Sequence, residues 1–132
     1  MINIPFLPPS NNKNQGHSGK NQMYEYQRQK KEFAEAIWYL SSKPDIPFEN
    51  AVVIIDYYFK DNRRRDADNY SGKIILDGLV KCGIIKDDSY KNIVSMPFFY
   101  CDKINPHTTI TVIKKCEIGA IRDKIRGILY EV

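Results

Sequence analysis

The densest run of side chains able to do chemistry is Asp61-Asn62-Arg63-Arg64-Arg65-Asp66-Ala67-Asp68-Asn69. Asp66 and Asp68 are separated by one residue. In an extended backbone, side chains at that spacing leave on the same side, so both carboxylates can reach one hard cation. Without a cation, two carboxylates held together repel and one pKa rises. Arg63, Arg64 and Arg65 would offset that repulsion and can also hold a phosphodiester. A second acidic element, Lys86-Asp87-Asp88-Ser89, follows later. A carboxylate carried back from it would complete an oxygen-ligated Mg²⁺ site, with Mn²⁺ as the alternative occupant. Such a site can activate a water and stabilise charge on a scissile phosphate. The reach is tight. A helix over residues 69–82 would be about 21 Å long at roughly 1.5 Å per residue. Residues 83–88 extend at most about 20 Å at roughly 3.3–3.6 Å each. Asp88 therefore meets the start of that helix only if the chain folds straight back along it; otherwise the third carboxylate comes from another subunit.

Each feature alone has a plainer account. Asp68 suits a helix N-cap, an arginine triplet suits a solvated surface, and Asp87-Asp88 suits a turn. Their order carries the information: basic triplet, D-x-D-N, amphipathic helix, Gly83, paired aspartates. A calcium loop fails as a rival, because Ser71 stands where the sharp-turn glycine is needed and Tyr70 and Asp77 replace the later ligands. His17 and His107 lack partners at catalytic spacing, and there is no phosphate-binding glycine loop or dinucleotide fingerprint, so no nucleotide cofactor is expected. Cys82, Cys101 and Cys116 are too few and too scattered for a disulfide framework or zinc site; they are expected to be reduced and buried.

The elements that must position the acidic run can be read from periodicity. Residues 2–7 suggest a short edge strand stopped by Pro8 and Pro9. Ser10 to Gln22 reads as a long polar loop, and its Lys13 and Lys20 are candidate DNA contacts. A helix is predicted over Tyr24–Leu40, with Phe33, Ile37, Trp38 and Leu40 on its apolar side. Ala51 to Phe59 is almost continuously apolar, as a central strand buried on both faces would be. A second helix is predicted over 69–82, capped by Asp68 or Asn69 and stopped at Gly83. Residues 91–101 and 108–114 suggest a hairpin joined through 102–106. Ile118, Ile121, Ile125 and Ile128 or Leu129 recur at helical spacing near the end. The resulting order, β-α-β-α-β-β plus a C-terminal helix, is an α/β (α+β) fold: a mixed sheet with packed helices.

At 132 residues, one domain is expected. Twenty basic against 16 acidic residues give +4, which permits nucleic-acid binding without requiring it. No apolar run reaches the roughly 20 residues of a membrane helix, and the first residues lack the pattern of a secretory signal. A cytoplasmic protein with no membrane partner is expected.

Arg63-Arg64-Arg65-Asp66-Ala67-Asp68-Asn69, followed by Leu76-Asp77-Gly78-Leu79-Val80-Lys81-Cys82-Gly83-Ile84-Ile85-Lys86-Asp87-Asp88, resembles the RusA family of Holliday junction resolvases, small Mg²⁺-dependent endonucleases common in phages and prophages. The resemblance is sharp over about residues 50–114, and it implies a core of 1–116 with a C-terminal helical addition over 117–132. Pro8-Pro9-Ser10-Asn11-Asn12 is similar to the family's early P-P-S-x-N segment. The resemblance implies that Asp66 and Asp68 are the D-x-D-N aspartates, that Asp88 is the later essential aspartate, and that Arg65 is the basic residue before the motif. It also implies that Lys73 is the functional lysine, one residue farther from Asp66 than the usual pattern, and that the protein is a homodimer cutting four-way or branched DNA in recombination and repair. Two other readings share these residues. One is a catalytically inactive branched-DNA-binding module gripping through Arg63, Arg64, Arg65 and the Lys13–Lys31 region. The other is a phage structural or interaction protein using the C-terminal helix.

Overall fold

The computed structural model describes residues 1–10 and 19–130. In chain order the elements are β1 (Ile2–Ile4), α1 (Gly19–Leu40), β2 (Ala51–Phe59), a 3-10 turn (Ala67–Tyr70), α2 (Lys73–Lys81), β3 (Ile93–Cys101), β4 (His107–Lys114), a second 3-10 turn (Lys115–Glu117) and α3 (Ile118–Tyr130). They form the expected mixed sheet with packed helices, in strand order β1-β4-β2-β3. The edge strand predicted over 2–7 is confined to Ile2–Ile4, antiparallel to β4.

β2 is central, as its composition implies. Ala51, Val53, Ile55, Tyr57 and Phe59 all point into the core, which α1 closes with Tyr26, Phe33 and Ile37 and α2 closes with Ile74, Ile75 and Leu79. The other face is buried at Val52 but only half-buried at Ile54, Asp56 and Tyr58. The predicted burial on both faces therefore holds only at the start of the strand. On the same open side, Val94, Phe98 and Tyr100 of β3 are exposed.

The predicted hairpin of 91–101 with 108–114 does not form. β3 runs parallel to β2 on one side and β4 antiparallel to it on the other, so β2 lies between them. With β3 and β4 on opposite edges, the most apolar strand is hydrogen-bonded on both sides along its length. The parallel pair needs a crossover, and α2 supplies it. Residues 102–106 then pass the end of β2, where the Asp102 N–H donates to the Phe59 carbonyl at 2.7 Å.

The helices differ from expectation at their starts. α1 begins at Gly19 rather than Tyr24, because nothing from Lys20 to Met23 breaks a helix. Phe33 and Ile37 are buried as predicted, but Trp38 and Leu40 stand about half exposed and Tyr26 takes the inner position instead. α2 begins four residues late. The 3-10 turn comes first, and Gly72, in the left-handed conformation at φ 91°, occupies the N-cap position expected of Asp68 or Asn69. A β-carbon at Gly72 would stand 2.5 Å from Ile55 Cδ1, so only glycine lets the chain cross the sheet this closely. α3 buries Ile118 and half-buries Ile121, while Ile125 and Ile128 are exposed. Cys82 is buried and free as expected, whereas Cys101 is free but exposed.

Candidate active site

β2 and β3 are parallel, so their carboxyl ends open on the same edge of the sheet, a position where folds of this kind commonly hold ligands. There the chain leaves Phe59 and turns through Asp61–Asp66 around a cavity of about 310 Å³, lined by Phe59, Phe99, Cys101, Asp61, Arg65 and Asp66 among others. The aromatic floor is continuous. Tyr57 stacks on Phe99 with centroids 5.6 Å apart, and Tyr70 meets the edges of Tyr57 at 5.7 Å and Phe59 at 5.0 Å. Burial, and then the neighbouring Tyr70, push the Tyr57 phenol far above its ordinary range, so it stays protonated.

The three arginines do different things. Arg65 is built into the wall. Its guanidinium lies 4.2 Å over the Phe59 ring, donates to Asp61 Oδ1 at 2.8 Å, and donates to the Asp61 and Arg63 carbonyls at 3.1 Å. Cation–π attraction and charge-assisted hydrogen bonds thus clamp the loop on itself. The hydrogen bond from Arg65 is the main reason the Asp61 carboxyl is held below its ordinary range. Arg63 reaches Asp61 only at 3.9 Å and is largely exposed; Arg64 is 92% exposed, 3.5 Å from Asp66.

Asp66 has an extended backbone and makes no side-chain cap bond, while Asp68 already lies inside the 3-10 turn. The same-side argument from an extended D-x-D therefore does not apply as such, but both carboxylates are exposed and Asp66 lines the cavity. The capping role open to Asp68 in the sequence is taken by Gly72. Lys73, the first residue of α2, donates to Asp77 Oδ2 at 3.2 Å. Asp88 is elsewhere. Ile85 bridges to Phe48 and Ile93 pairs with Ala51, so the 86–92 turn sits at the amino end of β2. The length of β2, roughly 26 Å at about 3.3 Å per residue, separates it from the acidic run. The straight fold-back that would bring Asp88 to Asp66 within one chain does not occur. Lys13 lies outside the described residues, and Lys20 is in α1 with its side chain outside them.

Among the described residues, no three of the His, Cys, Asp and Glu side chains are gathered to hold a metal. Asp66 and Asp68 nonetheless offer a donor set suited to Mg²⁺, which is bound through one or two carboxylates and keeps several waters and substrate oxygens. Two ion-pair partners of the candidate site residues escaped the sequence reading. Asp61 braces Arg65 at i,i+4, a spacing visible in the sequence but masked by the arginine run. Asp77 binds both Lys73 and Lys30, and the second contact crosses between helices, where no sequence pattern shows it.

No helix among the described residues is long and apolar enough to cross a membrane. No curated protein sequence matches the chain. The family described as endodeoxyribonuclease RusA matches residues 5–113, a span that starts just after β1, ends one residue short of the end of β4, and contains the whole acidic run, the crossover helix and the Asp87-Asp88 turn. The chain belongs to the RusA family of endodeoxyribonucleases, nucleases of DNA recombination.

Proposed function

We propose that the protein is a Mg²⁺-dependent endonuclease that resolves four-way DNA junctions by paired, symmetric nicks, acting in the cytoplasm as a homodimer. The observation that carries this reading is the pair of exposed carboxylates, Asp66 and Asp68, on a braced loop at the carboxyl end of the parallel strands. Two exposed arginines precede them, Arg63 loosely paired with Asp61 and Arg64 with Asp66. Asp66 and Asp68 hold Mg²⁺, with Mn²⁺ as substitute. Bound there, the ion supplies a polarised water and positive charge at the scissile phosphate. Arg64 can exchange Asp66 for a phosphate oxygen, and Arg63 neutralises a more distant one. Arg65, fixed in the cavity wall, fixes the loop and presents its charge to the phosphate. Lys73, aligned by Asp77, stabilises the negative charge that develops during cleavage. Lys13 and Lys20 extend the grip along the DNA.

Asp88 enters from a second copy of the chain. Its position at the far end of β2 supports this, as does the exposed apolar face of β3, where Val94, Phe98 and Tyr100 offer a surface for pairing. Residues 1–116 form the nuclease proper and α3 is an addition to it.

The test is cleavage of a synthetic four-way junction beside three-way and linear DNA, with Mg²⁺ or with EDTA. Selective, Mg²⁺-dependent cutting that is lost in Asp66→Asn and Asp68→Asn is expected. Full activity in EDTA, or equal cutting of linear duplex, would reject the proposal. Tight junction binding with no cleavage would leave the inactive binding module as the better reading.

A further inference from the structure

A second charged feature lies apart from the acidic run, in the cleft between α1 and α2. The two helices approach closely where small residues face each other: a β-carbon on Gly78 would lie 2.7 Å from Ile37 Cδ1 and 3.7 Å from the Ala34 α-carbon. That close crossing leaves an open groove of about 520 Å³ above Ala34 and Gly78, with Lys30 and Lys31 on one wall and Lys81 and Asp77 on the other. Asp77 Oδ2 accepts from Lys30 at 3.1 Å and from Lys73 at 3.2 Å, so one carboxylate oxygen draws in an ammonium group from each helix. Lys31, Lys73 and Lys81 are exposed, and Asp77 is the single carboxylate lining the groove among the described residues. Four lysines against one aspartate leave a strongly positive strip on a chain whose net charge is only +4.

The strip has a direction. Lys73 opens α2 immediately after the turn that carries Asp68, and Lys81 ends the same helix about 12 Å farther on at roughly 1.5 Å per residue. A polyanion lying across Asp66 and Asp68 and continuing over Lys73 would run along this groove. Lysines behave as mobile point charges that neutralise phosphates without fixing their geometry, which suits backbone tracking rather than base reading. We infer that the α1–α2 groove is a phosphate track: it takes the sugar–phosphate backbone of one duplex arm as that arm leaves the cleavage centre. This rests on the nuclease reading above, but it adds a second contact surface that chemistry at the acidic run does not require.

The experiment uses the full-length protein, a fluorescent four-way junction and EDTA to prevent cleavage, with affinity measured across a salt series. Lys31→Ala/Lys81→Ala should bind about tenfold more weakly, and the slope of log affinity against log salt should fall by roughly two. Single-turnover cleavage of saturated junction in Mg²⁺ should match the wild type, because neither lysine belongs to the cleavage centre. Asp77→Asn, which removes the groove's carboxylate, should tighten binding severalfold. Three results would overturn the track: wild-type affinity and slope in the double variant, an equal loss in the Lys124→Ala control on α3, or a loss that follows a fall in oligomer mass, which would make the lysines a contact between copies. A wild-type protein that cuts junctions while the double variant binds normally removes the track alone; a wild-type protein that neither binds nor cuts removes both readings.

Discussion

The molecule has two acidic segments at opposite ends of β2, and they are built in opposite ways. The 61–72 segment is held from three directions: Arg65 clamps it to Asp61 and Phe59, Tyr70 docks on the aromatic floor, and Gly72 presses against Ile55. The 86–92 segment is tied mainly through its backbone, with Lys86 N–H donating to the Phe48 carbonyl and Asn92 and Ile93 closing on Ser89. Asp87 there only accepts from the Asp88 N–H, and both side chains are exposed. A braced acidic segment keeps its carboxylates in a fixed place. An unbraced one is suited to being completed by a surface brought to it. The contrast fits the proposed division of labour between a compact D-x-D and a distant single aspartate.

The largest effect that can break this comparison comes from the aspartates themselves. Asp66→Asn or Asp68→Asn should lower the cleavage rate about a thousandfold, the equivalent of about 4 kcal/mol, while junction binding persists. Asp88→Asn should be equally inactive. Equimolar mixing of Asp66→Asn with Asp88→Asn should restore nicking of one strand, because a mixed pair rebuilds one complete centre from two chains. Restored activity is impossible if Asp66 and Asp88 act within one chain, so a dead mixture would return the third carboxylate to its own subunit. If Asp87→Asn is inactive and Asp88→Asn is not, the neighbouring residue is the ligand.

Next in size is the brace. Gly72→Ala combines a positive φ with a severe contact on Ile55 and should cost about 3 kcal/mol of unfolding free energy, measured by denaturant titration. Gly83→Ala, where a β-carbon meets open space, should cost about 1 kcal/mol from backbone strain alone. Equal losses at the two sites would show that the close crossing at Gly72 relaxes. Arg65→Ala should cost about 1–2 kcal/mol, from the ring contact and the hydrogen bonds it removes. Arg64→Ala, at a nearly fully exposed site, should leave stability unchanged and weaken DNA binding.

The smallest effect is on pH. The folded state holds the Asp61 carboxyl below its unfolded value, so this group's contribution is complete above the ordinary carboxylate range of about 4 and disappears as pH falls through the lowered folded value. Asp61→Asn should flatten the stability profile only in that acid window. Stability at neutral pH should fall by the same constant amount, since the ionised group contributes fully there; a variant as stable as the wild type at neutral pH would mean that the clamp does not depend on the charge on Asp61.

Much of this architecture was legible because it depends on local pattern. The apolar run Ala51–Phe59 announces a central strand, and Ile74, Ile75 and Leu79 announce the inner side of the crossover helix. The acidic run was legible as a candidate site for the same reason: all its members are neighbours in sequence. What was not legible depends on partners far along the chain. Residues 93–101 and 107–114 have the composition of a hairpin, and only the competition for both edges of β2 separates them. The late start of α2 follows from Gly72 meeting Ile55 across the sheet, and the lysine pair on Asp77 follows from the crossing of two helices. Asp56 hints at another non-local constraint. A lone carboxylate inside an apolar strand, it accepts from Thr109 Oγ1 at 3.1 Å on the open face of the sheet.

The sheet also sets a timetable for folding. Ile2 pairs with Ile110, so the first strand waits for the last before it has a neighbour, whereas β2, α2 and β3 are consecutive and can assemble early. During synthesis the nascent chain must carry the apolar Ile2 and Ile4 unpaired until β4 has left the ribosome, and the long closure this requires makes the edge joining β1 to β4 a late event. Truncations that stop before Thr108 leave the amino terminus with no strand to join, and the unsealed edge of β2 becomes a template for pairing between copies.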